Sequence, residues 1–286
     1  MTRPLRIQYP GALYHITCRG NERRPIYSCD GDRHLFLKKL SDIVETHNVI
    51  CHAYCLMDNH YHLLVETPDG NLSQTMRDLN GNYTQAFNQT YERVGHLFEG
   101  RFKSFVIEKE SYLLEVARYI VLNPVRANMV DHPEKYYWSS YLDTAGMRKA
   151  SNWLHTDWIR GLFGKNKQTS TASYAEFVAR GINLDSPFEK IEEGVLLGSP
   201  QFVSWIWENF GGEDENKDLP RTERIIGRPS LETIFDEMFV RDRDAGIAFA
   251  KIRCGYLNTE IARQLRLDQS TIGKILKDHQ KSEHEL

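Results

Sequence analysis

Apolar positions in the first half of the chain recur with two different periods. Residues 12–18 (ALYHITC) are β-branched and aromatic and lie between Pro10-Gly11 and Gly20-Asn21, which predicts a strand. Residues 31–47 place Leu35, Leu37, Leu40, Ile43 and Val44 at near-helical spacing, entered at Asp30. Two extended runs follow, Val49–Met57 and His60–Glu66, joined by the turn pair Asp58-Asn59. Leu72 to Tyr91 reads as a helix with Gly81 inside it, and residues 97–108 as a long strand or a strand pair. Residues 111–123 (SYLLEVARYIVLN) give a helix that Ser111 can cap and Pro124 ends. Strand, helix, hairpin, helix, strand is the β-α-β-β-α-β order of a ferredoxin-like (RRM-like) antiparallel sheet. The fold class expected is α+β, with an all-α C-terminal half: residues 136–210 read as mostly helical, interrupted at 194–200 (GVLLGSP), and three helices are expected from Ser230 onward. The domain limits implied are 1–145, a helical connecting region 146–215, and 216–286.

Composition narrows the class. Of 286 residues, 41% are hydrophobic and 26% charged, with 19 glycines and 10 prolines, which excludes disordered and collagen-like chains. No apolar run approaches the ~18 to 20 residues of a membrane helix, and the first residues lack the apolar core of a secretory signal. Five cysteines without a CxxC pair argue against a disulfide framework and a zinc ribbon, so a reduced, cytoplasmic protein is expected.

Net charge is −3, which at first opposes a nucleic-acid partner, but the sum hides a distribution. Arg3, Arg6, Arg19, Arg23 and Arg24 crowd residues 1–30 against Glu22 and Asp30, and Glu208–Asp218 is acidic. Residues 251–281 carry seven Lys/Arg and three acids. Charges farther apart than ~8 Å are largely screened at physiological salt, so each basic patch acts locally.

The densest candidate chemistry is Asp58-Asn59-His60-Tyr61-His62. Side chains two apart on a strand share a face, so His60 and His62 project together and suit one divalent metal as well as a plain solvated strand face. On the helix after the last strand, Glu115, Tyr119 and Asn123 stack at i, i+4 and i+8, opposite the apolar Leu113, Val116, Ala117, Ile120 and Val121. Such a tyrosine is either an ordinary boundary residue or a nucleophile. Phenol, with a pKa near ~10, attacks poorly at neutral pH unless a base or a polarised electrophile assists. A histidine-held divalent ion can polarise a scissile phosphate. Attack by Tyr119 on DNA would leave a phosphotyrosine and a free 3′-OH, keeping the bond energy for rejoining without ATP. No Walker-type loop is present, in keeping with that.

Four segments then carry a resemblance: RPLRIQYPGALYHITCRGNERRPIY, CLMDNHYHLLVET, HLFEGRFKSFVIEKESYLLEVARYIVLNPVRANMV and YYWSSY. Over roughly residues 1–142 the chain resembles the REP-associated tyrosine transposases of the single-tyrosine HUH class. The resemblance implies His60 and His62 as paired metal ligands, Asn123 as the polar third ligand and Tyr119 as the nucleophile. It implies Mg2+ or Mn2+ as cofactor, manganese suiting imidazole at least as well. It further implies DNA contacts for Arg3, Arg19, Arg23, Arg24, Arg101 and Lys103, and a substrate of single-stranded DNA near imperfect palindromes that fold as hairpins. One tyrosine per chain leaves a homodimer and successive single cuts both open. A domesticated, catalytically silent regulator of repeat or operator DNA is the other reading, although all four catalytic positions hold competent residues.

The C-terminal stretch LNTEIARQLRLDQSTIGKILK (257–277) has a helix-turn-helix pattern, with Asn258 or Thr259 and Asp268 as caps. Gln269, Ser270, Thr271 and Lys274 fall on the outer face of its second helix, where such motifs meet DNA; a plain helical hairpin is the alternative. With Arg228-Pro229-Ser230-Leu231, this end is similar to the DNA-binding domain of the DnaA replication initiator, which implies duplex DNA as a further partner and a nucleoid location. Weaker candidates are Cys51 and Cys55, expected on one strand face, a structural His15, and the tryptophans Trp153, Trp158, Trp205 and Trp207, expected to pack the middle helices.

Overall fold

The computed structural model describes residues 7–188, 196–210, 231–239, 242–253 and 256–283. Arg3, Arg228 and most of the acidic stretch lie outside the described residues. Residues 8–190 form one compact unit, and residues 1–7 with 191–286 form another. No helix among the described residues is long and apolar enough to cross a membrane.

The first unit opens with β1 (Ala12–Arg19), α1 (Asp30–Thr46), β2 (Ile50–Leu56), β3 (His60–Thr67), α2 (Leu72–Thr90), β4 (Lys103–Ile107) and α3 (Lys109–Arg126). These strands lie in the order β2-β3-β1-β4, and every pair is antiparallel. This is the ferredoxin-like topology expected from the sequence. The residues of β1, β2 and β3 are almost all buried because both faces of the sheet are covered. One face packs on α1 and α2: the Phe36 ring lies 4.8 Å from Tyr61 and 5.1 Å from Tyr83, and Tyr61 Oη donates to Asn80 at 2.6 Å. The other face receives α3, whose Leu113, Val116, Ala117, Ile120 and Val121 are buried.

Four local expectations change. The segment 97–108 contributes only β4, because Gly100 at φ +152° turns the chain just before it; Phe98 keeps a single bridge to Gly20. Helix α3 does not stop at Pro124 but runs on to Arg126. Proline at 124 leaves the Ile120 carbonyl without its i+4 amide donor, and Asn123 Nδ2 supplies one at 3.3 Å while also bonding Tyr119 O at 3.0 Å. The helix begins at Lys109 behind Glu108, not under a Ser111 cap. Finally, β2 carries a bulge at His52, so Cys51 opposes Val65 while Cys55 opposes His62. The two cysteines therefore lie on opposite faces.

The segment 136–141 (YYWSSY) runs along β2 and covers that sheet edge: Leu56 N donates to Trp138 O at 2.9 Å, and Ser140 N to Tyr54 O at 3.0 Å. Short helices α4 (Tyr141–Thr144) and α5 (Thr156–Gly161) and the longer α6 (Lys167–Arg180) complete the unit. Trp153 and Trp158 pack against Tyr54 and His52 of β2 rather than among helices.

The second unit is helical apart from the pair Leu196–Leu197. It contains α7 (Pro200–Phe210), in which Trp205 is exposed, and helical segments over 231–238 and 243–253. Two further helices are Asn258–Leu265 and Gln269–Glu283. The sequence predicts three helices after Ser230; among the described residues there are four helical segments, one of them opened by Asp242, which accepts from Ala245 N at 3.0 Å. The last two helices are joined through Arg266 in the left-handed region (φ 53°), and Ile261, Ala262 and Ile272 are buried between them and their neighbours. Leu257 precedes the first of these helices, with Glu260 reaching back to its amide at 2.6 Å, in place of an Asn258 or Thr259 cap.

Candidate active site

Strand alternation places His60, His62, Leu64 and Glu66 of β3 on the face that α3 covers. On β1, Thr17 stands opposite His62, Arg19 opposite His60, and His15 opposite Leu64. The site therefore lies between the centre of the sheet and the nucleophile-bearing helix proposed from the sequence. Helix α3 is tied down at its start, where Lys109 Nζ donates to both Glu66 oxygens at 2.9 and 2.8 Å.

The two histidines meet as predicted: their ring centroids are 5.0 Å apart. Tyr119 joins them, with its ring 6.1 Å from His62 and 5.9 Å from His15. Asn123 sits one turn further along α3. Its Nδ2 is spent on the Tyr119 and Ile120 carbonyls, so any ligation by this amide would have to come from Oδ1.

A hydrogen bond sets the tautomer of His60. His60 Nδ1 lies 2.7 Å from Asn59 Oδ1 and must donate to it, so His60 Nε2 keeps a lone pair. His62 Nδ1 lies 2.9 Å from His15 Nε2. With the proton on Nδ1, His62 Nε2 also keeps its lone pair, and that atom is buried without a hydrogen-bond partner. Burial drives all three rings toward the neutral form. It pushes His15 down to about 3, and His60 down to about 4 with the Arg19 charge adding to the effect. His62 falls well below the ordinary histidine range through burial, then His15, His60 and Arg19.

A divalent metal fits these residues. Two neutral imidazoles share one face of β3, and His62 Nε2 is buried and unsatisfied, a borderline donor pair suited to manganese and tolerable for magnesium. Among the described residues no group of three His, Cys, Asp or Glu side chains forms a metal cluster.

The basic residues divide. Arg19 ends β1 beside His60 and is exposed. The turn carrying Arg23 and Arg24 is laced to the β2–β3 turn by Asn59 Nδ2 to Arg23 O at 2.9 Å and Gly20 N to Asn59 O at 2.8 Å. Arg24 pairs with Glu22 at 2.6 Å on the surface. Lys103 opens β4 opposite Thr17, and Arg101 is exposed in the turn before it. Glu115, stacked with Tyr119 in the sequence reading, is ion-paired to Arg118, whose guanidinium lies 4.3 Å from the Phe177 ring. In the other unit, Gln269, Ser270 and Lys274 are exposed on the helix Gln269–Glu283, and Thr271 is half-buried.

Three residues of the site were not legible as such. His15 read as structural, and only the strand register shows that it backs His62. Arg126 lies over the Tyr119 ring at 5.4 Å and holds the chain at Leu184 by a 2.6 Å bond to its carbonyl. That tether leads to Phe188, whose ring is 5.0 Å from Tyr119 and 4.7 Å from His15. Nothing in the local sequence around Phe188 signals this long-range contact.

Residues 8–123 match the family described as transposase IS200 like. Among solved structures, a REP-associated tyrosine transposase bound to a REP hairpin aligns at 17% identity and a TM-score of 0.46, over 55% of this chain and 91% of that one. None of the curated proteins matches the chain.

Proposed function

We propose that the protein is a metal-dependent single-stranded DNA endonuclease and strand transferase whose nucleophile is Tyr119. The observation that carries the reading is the convergence of Tyr119 on His62, whose Nε2 is buried, neutral and unsatisfied, within the residues that match the transposase IS200 like family. Single-stranded DNA flanking a hairpin-forming imperfect palindrome is the proposed substrate.

His60, His62 and Asn123 would hold Mg2+ or Mn2+, which supplies charge to polarise the scissile phosphate. Arg19, beside His60, meets an adjoining phosphate, and Arg23, Arg24, Arg101 and Lys103 add phosphate contacts that set strand position but carry no base information. Arg3 is proposed for the same role. The Tyr119 hydroxyl attacks phosphorus, forming the Oη–P bond as the P–O3′ bond breaks. The phenol gives up its proton and the leaving 3′ oxygen gains one, so a 5′-phosphotyrosine and a 3′-hydroxyl result. Reversal by another 3′-hydroxyl rejoins the strand and frees Tyr119. Phe188, Phe105 and the sheet wall off His15 and help exclude water that would hydrolyse the ester. Glu115 is an unsuitable base because Arg118 occupies its carboxylate.

The pair of helices Asn258–Leu265 and Gln269–Glu283 is proposed to read duplex DNA, with Gln269, Ser270 and Thr271 at base edges and Lys274 at phosphate.

Cleavage of an end-labelled hairpin oligonucleotide with a single-stranded flank tests the reading. Wild type with Mn2+ should cut it, and His60→Ala and His62→Ala should each lower the rate by about 100-fold or more. Cleavage indifferent to both substitutions would refute the metal site. Binding without any cleavage by wild type would favour a silent DNA-binding regulator instead.

A further inference from the structure

Away from the metal pair, α1 and the segment 137–153 enclose a cleft of about 370 Å³. Helix α1 turns Phe36, Leu40 and Ile43 to the sheet. A different stripe, His34, Leu37, Lys38 and Ser41 at i, i+3, i+4 and i+7, lines the cleft. The opposite wall is aromatic: Tyr54 and Trp153 lie 5.6 Å apart, and the Tyr137 ring is 51% exposed.

Arg148 builds the floor. Its guanidinium donates to Asp143, to Tyr54 Oη at 3.0 Å, and to the carbonyls of Tyr137 and Ser139 at 3.0 Å each. It also lies 4.8 Å from the Tyr137 ring, so that ring is held in place with much of its surface open. Asp143 and Arg148 cancel each other. The charges left over are Lys38 and Lys149, both exposed and in no ion pair among the described residues.

An exposed, pinned Tyr137 ring and a half-buried Trp153 beside two uncompensated ammonium groups select a flat ring that carries a negative charge. The volume falls at the low end of the ~300 to 1,000 Å³ typical of ligand pockets, enough for one such unit. Stacking on aromatic side chains with lysines on the backbone is how proteins hold single strands without reading sequence. We propose that this cleft binds one nucleotide of the single-stranded DNA substrate, its base against Tyr137 and Trp153 and its phosphate between Lys38 and Lys149. The proposal rests on the reading of the chain as a single-stranded DNA enzyme and adds to it a strand-holding subsite outside the metal centre.

Fluorescence anisotropy with a labelled hairpin bearing a single-stranded flank, and photo-crosslinking with 5-iododeoxyuridine placed along that flank, test it together. The Lys38→Ala/Lys149→Ala double variant should bind about tenfold more weakly and lose roughly 0.7 from the slope of log affinity against log salt, the value for one phosphate on a single strand. Both lysines are exposed, so the melting temperature should not move. The cross-link should fall on Tyr137 or Trp153 and disappear in Tyr137→Ala/Trp153→Ala. Wild-type binding with equal affinity in the lysine variant, or cross-links confined to other peptides, overturns the subsite while leaving the nuclease reading standing. Failure of wild type to bind the oligonucleotide overturns both.

Discussion

His62 shows how much one side chain depends on its second neighbour. Its Nδ1 lies 2.9 Å from His15 Nε2, and with His15 as the acceptor there the other ring nitrogen of His62 is left free for the proposed metal. Metal-binding histidines held in this way typically lose ~10- to 100-fold in metal affinity when the outer partner is removed. His15→Ala should therefore weaken Mn2+ binding by about that factor in calorimetric titration, although His15 contributes no donor to the metal itself. Unchanged affinity would reduce His15 to packing. Asn123 bonds its own helix and, in the proposed site, would also serve the metal. Asn123→Ala should weaken metal binding and also cost about 1 kcal/mol of stability by stranding the Ile120 carbonyl. Urea titration measures the second effect independently of the first, and an unchanged midpoint would show that the Ile120 carbonyl needs no such donor.

At the scale of elements, most of what positions the site could be read in advance. The turn pair Asp58-Asn59 and the two-residue alternation place His60 and His62 together, and the apolar stripe of α3 leaves Tyr119 off the core. The misreadings share a cause: each depends on a partner distant in sequence or on a compensating bond. Pro124 looks like a stop signal until Asn123 replaces the missing donor. Cys51 and Cys55 look co-facial until the bulge at His52 shifts the register, and that bulge brings His52 to Glu66 at 3.2 Å. Phe188 reaches Tyr119 only through the fold. The turn after β1 gives a test at this scale. A Cβ on Gly20 would lie 2.1 Å from Arg24 O and 2.9 Å from Ile26 Cγ2. Gly20→Ala must then deform the turn that carries Arg23 and Arg24, costing roughly 1–3 kcal/mol and weakening oligonucleotide binding. Wild-type melting and binding in that variant would mean that the turn relaxes without consequence.

Across the whole molecule, the net charge of −3 proves the wrong scale on which to ask about DNA, since basic groups gather at the candidate site and on the last helix. Lys274→Ala should lower the salt slope of duplex binding by ~0.9, the value for one phosphate contact on B-form DNA; an unchanged slope would remove Lys274 from the interface. Buried imidazoles also tie stability to pH. His15, His52 and His62 are buried and resist protonation, whereas in the unfolded chain they take up protons near pH ~6.5. The unfolded state thus binds more protons as pH falls below ~6.5, and metal-free stability should drop by up to about 1.4 kcal/mol per pH unit for each group. Urea midpoints from pH 7.5 down to 4.5 measure it, and a flat profile would contradict the assigned burial.

The central claim is that Tyr119 becomes covalently joined to DNA. Peptide mass spectrometry after incubation with Mn2+ and a hairpin substrate cut short 3′ of the scissile phosphate should find a 5′-phosphonucleotide on the peptide containing Tyr119, absent in Tyr119→Phe. An adduct on any other residue, or cleavage by Tyr119→Phe at the wild-type rate, would contradict it.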